Sequence, residues 1–588
     1  MTKLFWTTSS IFAACLLVLG CGDSHQNPLE KTIGIRGQSY CDETNQVFHQ
    51  ALSVHLVKTE ADAQEMYTSS ISMLMSALNQ YGKDSDVKDV KNQVLKDGKA
   101  DLTHLKDCSD LVALEQLRAK GLNNSKYQGS SSSSGSGSGS DQSASAKKDQ
   151  PIIFHAFLSA FAHSLDGMSH YQYASGGGTS AQLYDFGARL DLSVPENFGT
   201  NPDSVEVFAS RPESILKQGD KITEVQFLPP RNGGYPVTRT ISQFLKDFGA
   251  SGLESIFYFS TSDALKVKIN SNKDWTDLKG LKIGGRIPFV QTKAMGSNVY
   301  VRLLQFEDGV ADELMHAIIS TRDQIVADQT KQGIKAQIGI ILDLRLNGGG
   351  YASQGSQILN LFLGYGKVVE TRDRSGVVEE AILPNKNAIF NEPLVVLVDR
   401  RSASESELVS MVLKETGRAL IVGETTFGKG IGQVGLMPLN FLNGMLWVTA
   451  QYFYGPNGDS PQLTGVAPNV PTEDNKILAA VAACVKCPIR MKDLQASAPR
   501  SDWILPESHV GAHLQNTLVN PVKTSLDLVG FAPVTDKDDN ILETGLKAIV
   551  KITGQVVPPA GPVATVPPPT TTATPTAPTA AAAAAKPS

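Results

Sequence analysis

The sequence predicts an α/β fold preceded by a helical region. Three apolar runs carry that prediction: Ile338-Gly339-Ile340-Ile341-Leu342-Asp343-Leu344-Arg345, Leu394-Val395-Val396-Leu397-Val398-Asp399 and Ala419-Leu420-Ile421-Val422. Continuous runs of this length read as strands buried on both faces. The first two are each followed by a polar or glycine-rich turn and then a stretch with helical spacing, Ser353 to Leu363 and Ser404 to Thr416. Apolar residues make up 41% of the chain and charged residues 19%, enough for a large core and unlike a wholly disordered protein. Lys+Arg 53 against Asp+Glu 59 gives a net charge of -6 with no long basic run, which argues against a nucleic-acid binder.

Composition divides the chain. Residues 1–20 read as an export signal, with Lys3 as the positive end and a short apolar run from Ile11 to Gly20. Val18-Leu19-Gly20-Cys21 is similar to the lipobox of bacterial lipoproteins, in which the cysteine is acylated. The other reading is an ordinary signal peptide with an incidental cysteine. Residues 21–128 form a helical N-terminal region, with Met66, Ile71, Met73, Leu74 and Leu78 at helical spacing between Gln64 and Tyr81. Residues 129–150 are a Ser/Gly-rich flexible linker, and 556–588 a Pro/Thr/Ala tail with almost no charge, unable to bury a core. Beyond Cys21 four mature cysteines remain, and they allow three pairings. Cys41–Cys108 with Cys484–Cys487 keeps each bridge within one segment. Cys484-Val-Lys-Cys487 also fits a redox motif or half a zinc site, but no second such motif completes four thiolates. No metal and no cofactor is expected.

The turns hold the chemistry. Leu346-Asn347-Gly348-Gly349-Gly350 at a strand end lets backbone N–H groups approach a ligand, although a tight turn alone explains such glycines in most proteins. A dinucleotide fingerprint fails, because Gly348 and Gly350 are followed by Ser353. Gly423 to Lys429 nearly matches a phosphate-binding loop, but Gly430 stands where a hydroxyl would hold Mg²⁺. Ser404 and Glu407 form a capping box at a helix start. That role is compatible with a reactive serine at the positive end of the helix dipole.

Together these segments resemble the carboxy-terminal processing (tail-specific) proteases, serine peptidases with a Ser/Lys dyad and a PDZ domain. The resemblance covers roughly residues 151–475. It rests on Asp343-Leu344-Arg345-Leu346-Asn347-Gly348-Gly349-Gly350, on Ser402-Ala403-Ser404-Glu405-Ser406-Glu407-Leu408, and on Gly423-Glu424-Thr425-Thr426-Phe427-Gly428-Lys429-Gly430, in order and spacing. Ser164 to Tyr171 is similar to the segment before the PDZ domain, with Gly167-Met168 where the family usually has Pro-His. The strands Asn298 to Phe306, Leu446 to Phe453 and Gly465 to Val470 fit as well.

The resemblance implies a ClpP/crotonase-like sheet with an inserted PDZ-like domain. Its expected boundaries are 151–180 for the N-terminal part of the protease region, 181–285 for the PDZ-like domain, 286–480 for the catalytic core and 481–555 for a C-terminal region. It implies Ser404 as nucleophile, Lys429 as general base, and Gln433 as support for the lysine. The backbone N–H groups of Gly350 and Glu405 become the oxyanion donors. Phe186, Gly187 and Ala188 become the loop that holds a peptide's terminal carboxylate, so substrates are proteins with exposed C-terminal tails. The expected setting is the bacterial cell envelope, facing the periplasm, with the membrane held through lipid on Cys21. Glu405 stands where the family usually has alanine. A carboxylate near the turn would oppose a developing anion or raise the pKa of Lys429; the other reading has it pointing into solvent from the helix's first turn. That feature favours the alternative, an impaired relative acting as a PDZ-containing binding or scaffold lipoprotein.

Overall fold

The computed structural model describes residues 35–78, 84–124, 152–173, 184–192, 202–227, 237–258, 265–270, 272–278, 281–282, 287–376, 378–439, 442, 444–473, 491–492, 523–524, 530–535, 537 and 539–555. The export signal with Cys21, the linker 129–150, Cys484 and Cys487, and the tail 556–588 lie outside the described residues.

The N-terminal region is a bundle of α1 (Ile35–Val54), α2 (Ala63–Leu78), α3 (Asp84–Val94) and α4 (Ser109–Asn124). The helical spacing read between Gln64 and Tyr81 gives α2, which buries Met66, Tyr67, Ile71, Leu74 and Leu78. Cys41 and Cys108 are joined by a disulfide, with their Cα atoms 5.8 Å apart. The next helix, α5 (Ile152–Leu165), is apolar on nearly every side and must therefore be covered all round. The bundle covers one side, with Phe48 against Phe161 at 4.3 Å between ring centres. Leu436, Leu446 and Val448, far along the chain, share the same core. The boundary drawn at 151 is thus crossed by one continuous core. α5 leads to β1 (His170–Tyr173).

An insert follows, made of β2 (Tyr184–Asp185), β3 (Ala188–Leu190), β4 (Val205–Ser210), β5 (Lys221–Phe227), β6 (Val237–Thr240), α6 (Ile241–Tyr258), β7 (Leu265–Ile269), β8 (Thr276–Leu278) and β9 (Leu281–Lys282). Its main sheet runs β3-β4-β5-β7-β8, with β6 also on β5 and all pairs antiparallel. Phe244, Leu253 and Phe257 of α6 pack on Val225 and Val267 of that sheet.

The core contains β10 (Val290–Met295), β11 (Asn298–Leu303), α7 (Val310–Lys331), β12 (Gly339–Asp343), α8 (Ala352–Phe362), β13 (Gly366–Arg372), β14 (Val378–Leu383), β15 (Leu394–Val398), α9 (Glu405–Glu415), β16 (Ala419–Gly423), β17 (Ile431–Leu439), β18 (Gly444–Tyr454) and β19 (Val470–Pro471). Its main sheet has the order β10-β11-β12-β15-β16-β19. From β11 onward every pair is parallel. All residues of β12, β15 and β16 are buried, as the apolar runs required. α7, α8 and α9 cover one face. The other face is covered by α10 (Asn540–Thr553), whose Ile541, Ala548 and Ile549 pack on Ile341, Val395, Leu397 and Val422. The core expected to end at 480 therefore takes in a helix from the C-terminal region: strands apolar on both faces leave no face for water. A second sheet, β1-β18-β13-β14 with β17 on β18, flanks the first and carries the long strand hairpin that meets the N-terminal bundle.

Candidate active site

Two turns meet at the carboxyl ends of the parallel strands β12 and β15. Asp399, at the end of β15, organises both. Its carboxylate accepts from the backbone N–H groups of Arg401 and Ser402 at 2.9 Å in its own turn, and from Leu346 N–H at 3.1 Å in the other. Burial pushes the Asp399 carboxyl up to about 6, against the pull of these donated hydrogen bonds. Asn347 ties the turns again. Its carbonyl accepts from Ala403 N–H at 3.0 Å and from Ser406 Oγ at 2.9 Å, while its side chain accepts from Gly349 N–H and donates to Leu303 O.

The glycines of the first turn are required by proximity. A Cβ on Gly349 would lie 2.7 Å from Ser404 Cβ and 3.0 Å from Glu405 N. Gly350 has φ +144°, and a Cβ there would lie 2.3 Å from Phe306 O. Only glycine fits either place. The turn thus lies flat against the start of α9.

Ser404 precedes α9 with φ 55° and ψ -115°. A non-glycine residue in this region is strained by about 1–3 kcal/mol and persists only where its surroundings hold it. The strain lifts its half-buried side chain at the helix's positive end. Glu405 N–H begins α9, where no helical carbonyl is available to it. The Glu405 side chain does not point into solvent. It is 4% exposed and folds against α8, where a Cβ on Gly355 would overlap its carboxylate. Among the described residues its Oε1 has no hydrogen-bond partner, and burial raises its pKa well above the ordinary 4.5. Burial of this kind disfavours the charged form of the carboxyl.

The lysine segment is bound to this turn through one carboxylate. Glu407 Oε2 accepts from Ser404 N–H at 2.9 Å and from Lys429 N–H at 2.7 Å. Its Oε1 accepts from Gly428 N–H at 2.7 Å and from Thr426 Oγ1. The main-chain nitrogens of Ser404 and Lys429 are each one hydrogen bond from the same atom. Burial pushes Glu407 up to about 7, while its four donors pull the other way. Lys429 Nζ donates to Gln433 Oε1 at 2.9 Å, and Gln433 Nε2 donates to Thr449 Oγ1 at 3.3 Å. Burial lowers the Lys429 pKa below its ordinary 10.5, against the charges of Asp166 and Glu407. Phe427, Ile431 and Met168 belong to an apolar cluster beside it. Met168, in the Gly-Met pair that departs from Pro-His, thus adds apolar surface.

The sequence marked Ser404, Lys429, Gln433, Gly350 and Glu405; the fold joins the main chain of Ser404 and Lys429 through Glu407, pairs Lys429 with Gln433, and lays Gly349, next to Gly350, against Ser404 and Glu405. Glu407 was legible only as a helix cap. Asp399 and Thr449 carried no signal beyond strand ends and β-branching. Phe186, Gly187 and Ala188 lie in the insert, and the loop's polar groups are engaged there. Phe186 N–H donates to Phe257 O at 3.4 Å, Phe186 O accepts from Ser214 Oγ at 2.7 Å, and Gly187 O accepts from Arg211 N–H at 2.7 Å.

Residues 298–472 match the model of peptidase family S41. This region is similar to the S41 peptidase domain. The S41 region contains Gly350, Ser404, Glu405, Lys429 and Gln433. The chain is 33% identical over 198 residues to the carboxy-terminal-processing protease of Bartonella bacilliformis, covering 34% of this chain and 44% of that one. It is 31% identical over 186 residues to the tail-specific protease of Haemophilus influenzae, covering 30% of this chain and 25% of that one. The match thus spans less than half the length of either relative. Among solved structures, a photosystem II D1 C-terminal processing protease aligns at TM-score 0.32 and 23% identity, over 55% of this chain and 83% of that one.

Proposed function

We propose that this protein is a serine endopeptidase that cleaves proteins selected by their C-terminal tails, with Ser404 as nucleophile and Lys429 as general base. The observation that carries the reading is the Glu407 oxygen shared by Ser404 N–H and Lys429 N–H, which holds the two segments side by side. An ordinary lysine is protonated at neutral pH, and burial shifts Lys429 toward the neutral amine that can act as a base. Neutral Lys429 takes the Ser404 Oγ proton as Oγ bonds to the scissile carbonyl carbon. The oxyanion so formed accepts from the N–H groups of Gly350 and Glu405, each donor worth roughly 3 kcal/mol. The C–N bond then breaks, and the leaving amine takes the proton from Lys429. Water, deprotonated by Lys429, hydrolyses the acyl ester and frees Ser404.

The alternative, an impaired binding or scaffold protein, drew on a charge at Glu405. Burial of that side chain disfavours its charged form and weighs against that reading. The insert serves as the PDZ-like domain in this proposal, with Phe186 to Ala188 near a substrate terminus.

The test is digestion of an unstructured protein with an apolar C-terminal tail by wild type, Ser404→Ala and Lys429→Arg. Cleavage by wild type alone is expected, because guanidinium does not deprotonate at working pH. Wild-type kcat/KM should climb with pH as Lys429 loses its proton. Equal cleavage by wild type and Ser404→Ala defeats the proposal, and turnover by Lys429→Arg removes lysine as the base. We also propose a lipid anchor at Cys21 on the periplasmic side of the cell envelope. Cys21→Ser should move the protein from the membrane to the soluble fraction, and unchanged membrane partitioning overturns the anchor.

A further inference from the structure

Gln433, the partner of the Lys429 amine, is itself held by a chain of contacts that leaves the S41 region. Gln433 Nε2 donates to Thr449 Oγ1. Thr449 N–H donates to Ser169 Oγ at 3.0 Å, and Ser169 Oγ donates to Asp166 Oδ2 at 2.9 Å. Asp166 Oδ1 accepts from the N–H groups of Met168 and Ser169, each at 2.6 Å. The last link comes from the N-terminal bundle, where His55 Nε2 meets Asp166 Oδ2 at 2.6 Å with both side chains 1% exposed.

The tautomer of His55 follows from its other nitrogen. Nδ1 accepts from Val57 N–H at 3.1 Å and Lys58 N–H at 2.8 Å, in the turn that ends α1. An accepting Nδ1 leaves the ring proton on Nε2, aimed at Asp166. The neighbouring residue grips the same path: Leu56 N–H donates to Thr449 O at 2.9 Å, and the Leu56 side chain joins Met168, Phe427 and Ile431 in the apolar cluster beside Lys429. From β13's end, Arg374 fixes this corner by donating to the carbonyls of Leu52, His55 and Lys58.

We infer that His55 is a positioning residue for Lys429, acting through Asp166, Ser169, Thr449 and Gln433, so that the N-terminal bundle completes the dyad's support. The inference rests on the peptidase reading. A buried hydrogen-bonded path has few alternative arrangements, because any break strands a polar group away from water. Fixing Asp166 from outside therefore fixes the Thr449 hydroxyl, then the Gln433 amide, then the amine. A misplacement on the order of 1 Å at a reacting group can cost 10²-fold in rate.

The test uses the full chain and four variants: Ser404→Ala, His55→Ala, His55→Gln and Ser169→Ala, with the His55→Ala/Ser169→Ala double. Three quantities are read: kcat and KM on the unstructured protein, and the rate of covalent labelling of Ser404 by an alkyl fluorophosphonate, which needs the dyad but no peptide groove. Thermal melts report folding. His55→Ala and Ser169→Ala should each lower kcat and labelling about tenfold or more, with KM within about twofold. His55→Gln, whose amide N–H can replace Nε2–H, should recover most of the loss. The double variant should lose no more than the worse single. Wild-type labelling rates in folded His55→Ala, or losses that multiply in the double, overturn the inference. If His55→Ala does not fold, Ser169→Ala decides alone, and wild-type labelling there overturns it. Absence of wild-type labelling, matching Ser404→Ala, defeats the peptidase reading and this inference with it. Labelled wild type with unaffected variants defeats the inference alone.

Discussion

The two strand-turn-helix units solve one geometric problem in opposite ways. After β12, the chain turns on glycines and offers only backbone to the site. After β15, it turns on Ser404, which must keep a side chain because its alcohol is the reacting group in the proposed chemistry. The first turn is limited by space at its glycines, where a Cβ on Gly349 or Gly350 meets an atom within 2.7 Å, and it carries a positive φ of its own, 60° at Leu346. The second has room for its side chain and is limited by backbone strain at φ 55°. Buried acids restrain both turns, Asp399 accepting from Leu346 N–H in the first as well as from the second, and they are concentrated on the second. Asp399 and Glu407 accept from six backbone N–H groups in and around the second turn: Leu346, Arg401, Ser402, Ser404, Gly428 and Lys429. A turn can therefore be shaped by removing a side chain or by surrounding one with acceptors, and only the second route leaves a nucleophile in place.

This contrast breaks first at Gly350. Gly350→Ala forces a Cβ onto Phe306 O and moves an oxyanion donor. We expect a loss of about 10²-fold or more in kcat against tail-bearing substrate, with KM little changed. Full activity in that variant would show that the first turn is not limited by space. The contrast sharpens at Ser404, with a smaller effect of unusual sign. Ser404→Gly removes the alcohol and the φ penalty together. Activity should vanish while unfolding free energy in urea rises by about 1 kcal/mol, the strain relieved less the greater flexibility of unfolded glycine. A melt at or below the wild-type midpoint would place the strain elsewhere.

Much of this was legible from local pattern. The strands at 339–343, 394–398 and 419–423 follow from apolar runs, and the helix starts follow from turn chemistry. The candidate dyad and its glutamine were legible through family resemblance. Three features were not. Glu405 left two readings open, beside the oxyanion or in solvent, because residue order does not say which way a first-turn side chain turns. Here Gly355, on a different helix, leaves a space that the carboxyl fills. Glu407 showed itself as a cap, with no sign that its second role lay across the fold on Lys429. His55 had no signal, since its partner Asp166 lies in another segment and a lone histidine after a helix has many uses.

By itself the sequence determined which segments are strands and helices, because burial on two faces or one stripe writes a period into the residue order. It determined the residue types able to perform acyl transfer, because an alcohol, an amine and glycine turns are side-chain identities. Only the tertiary structure decided that α5 belongs to the N-terminal bundle's core, that α10 closes the main sheet, and which buried acids hold the turns. Those outcomes depend on which surfaces meet, and hydrogen bonds between distant segments have strength only where the fold excludes water around them.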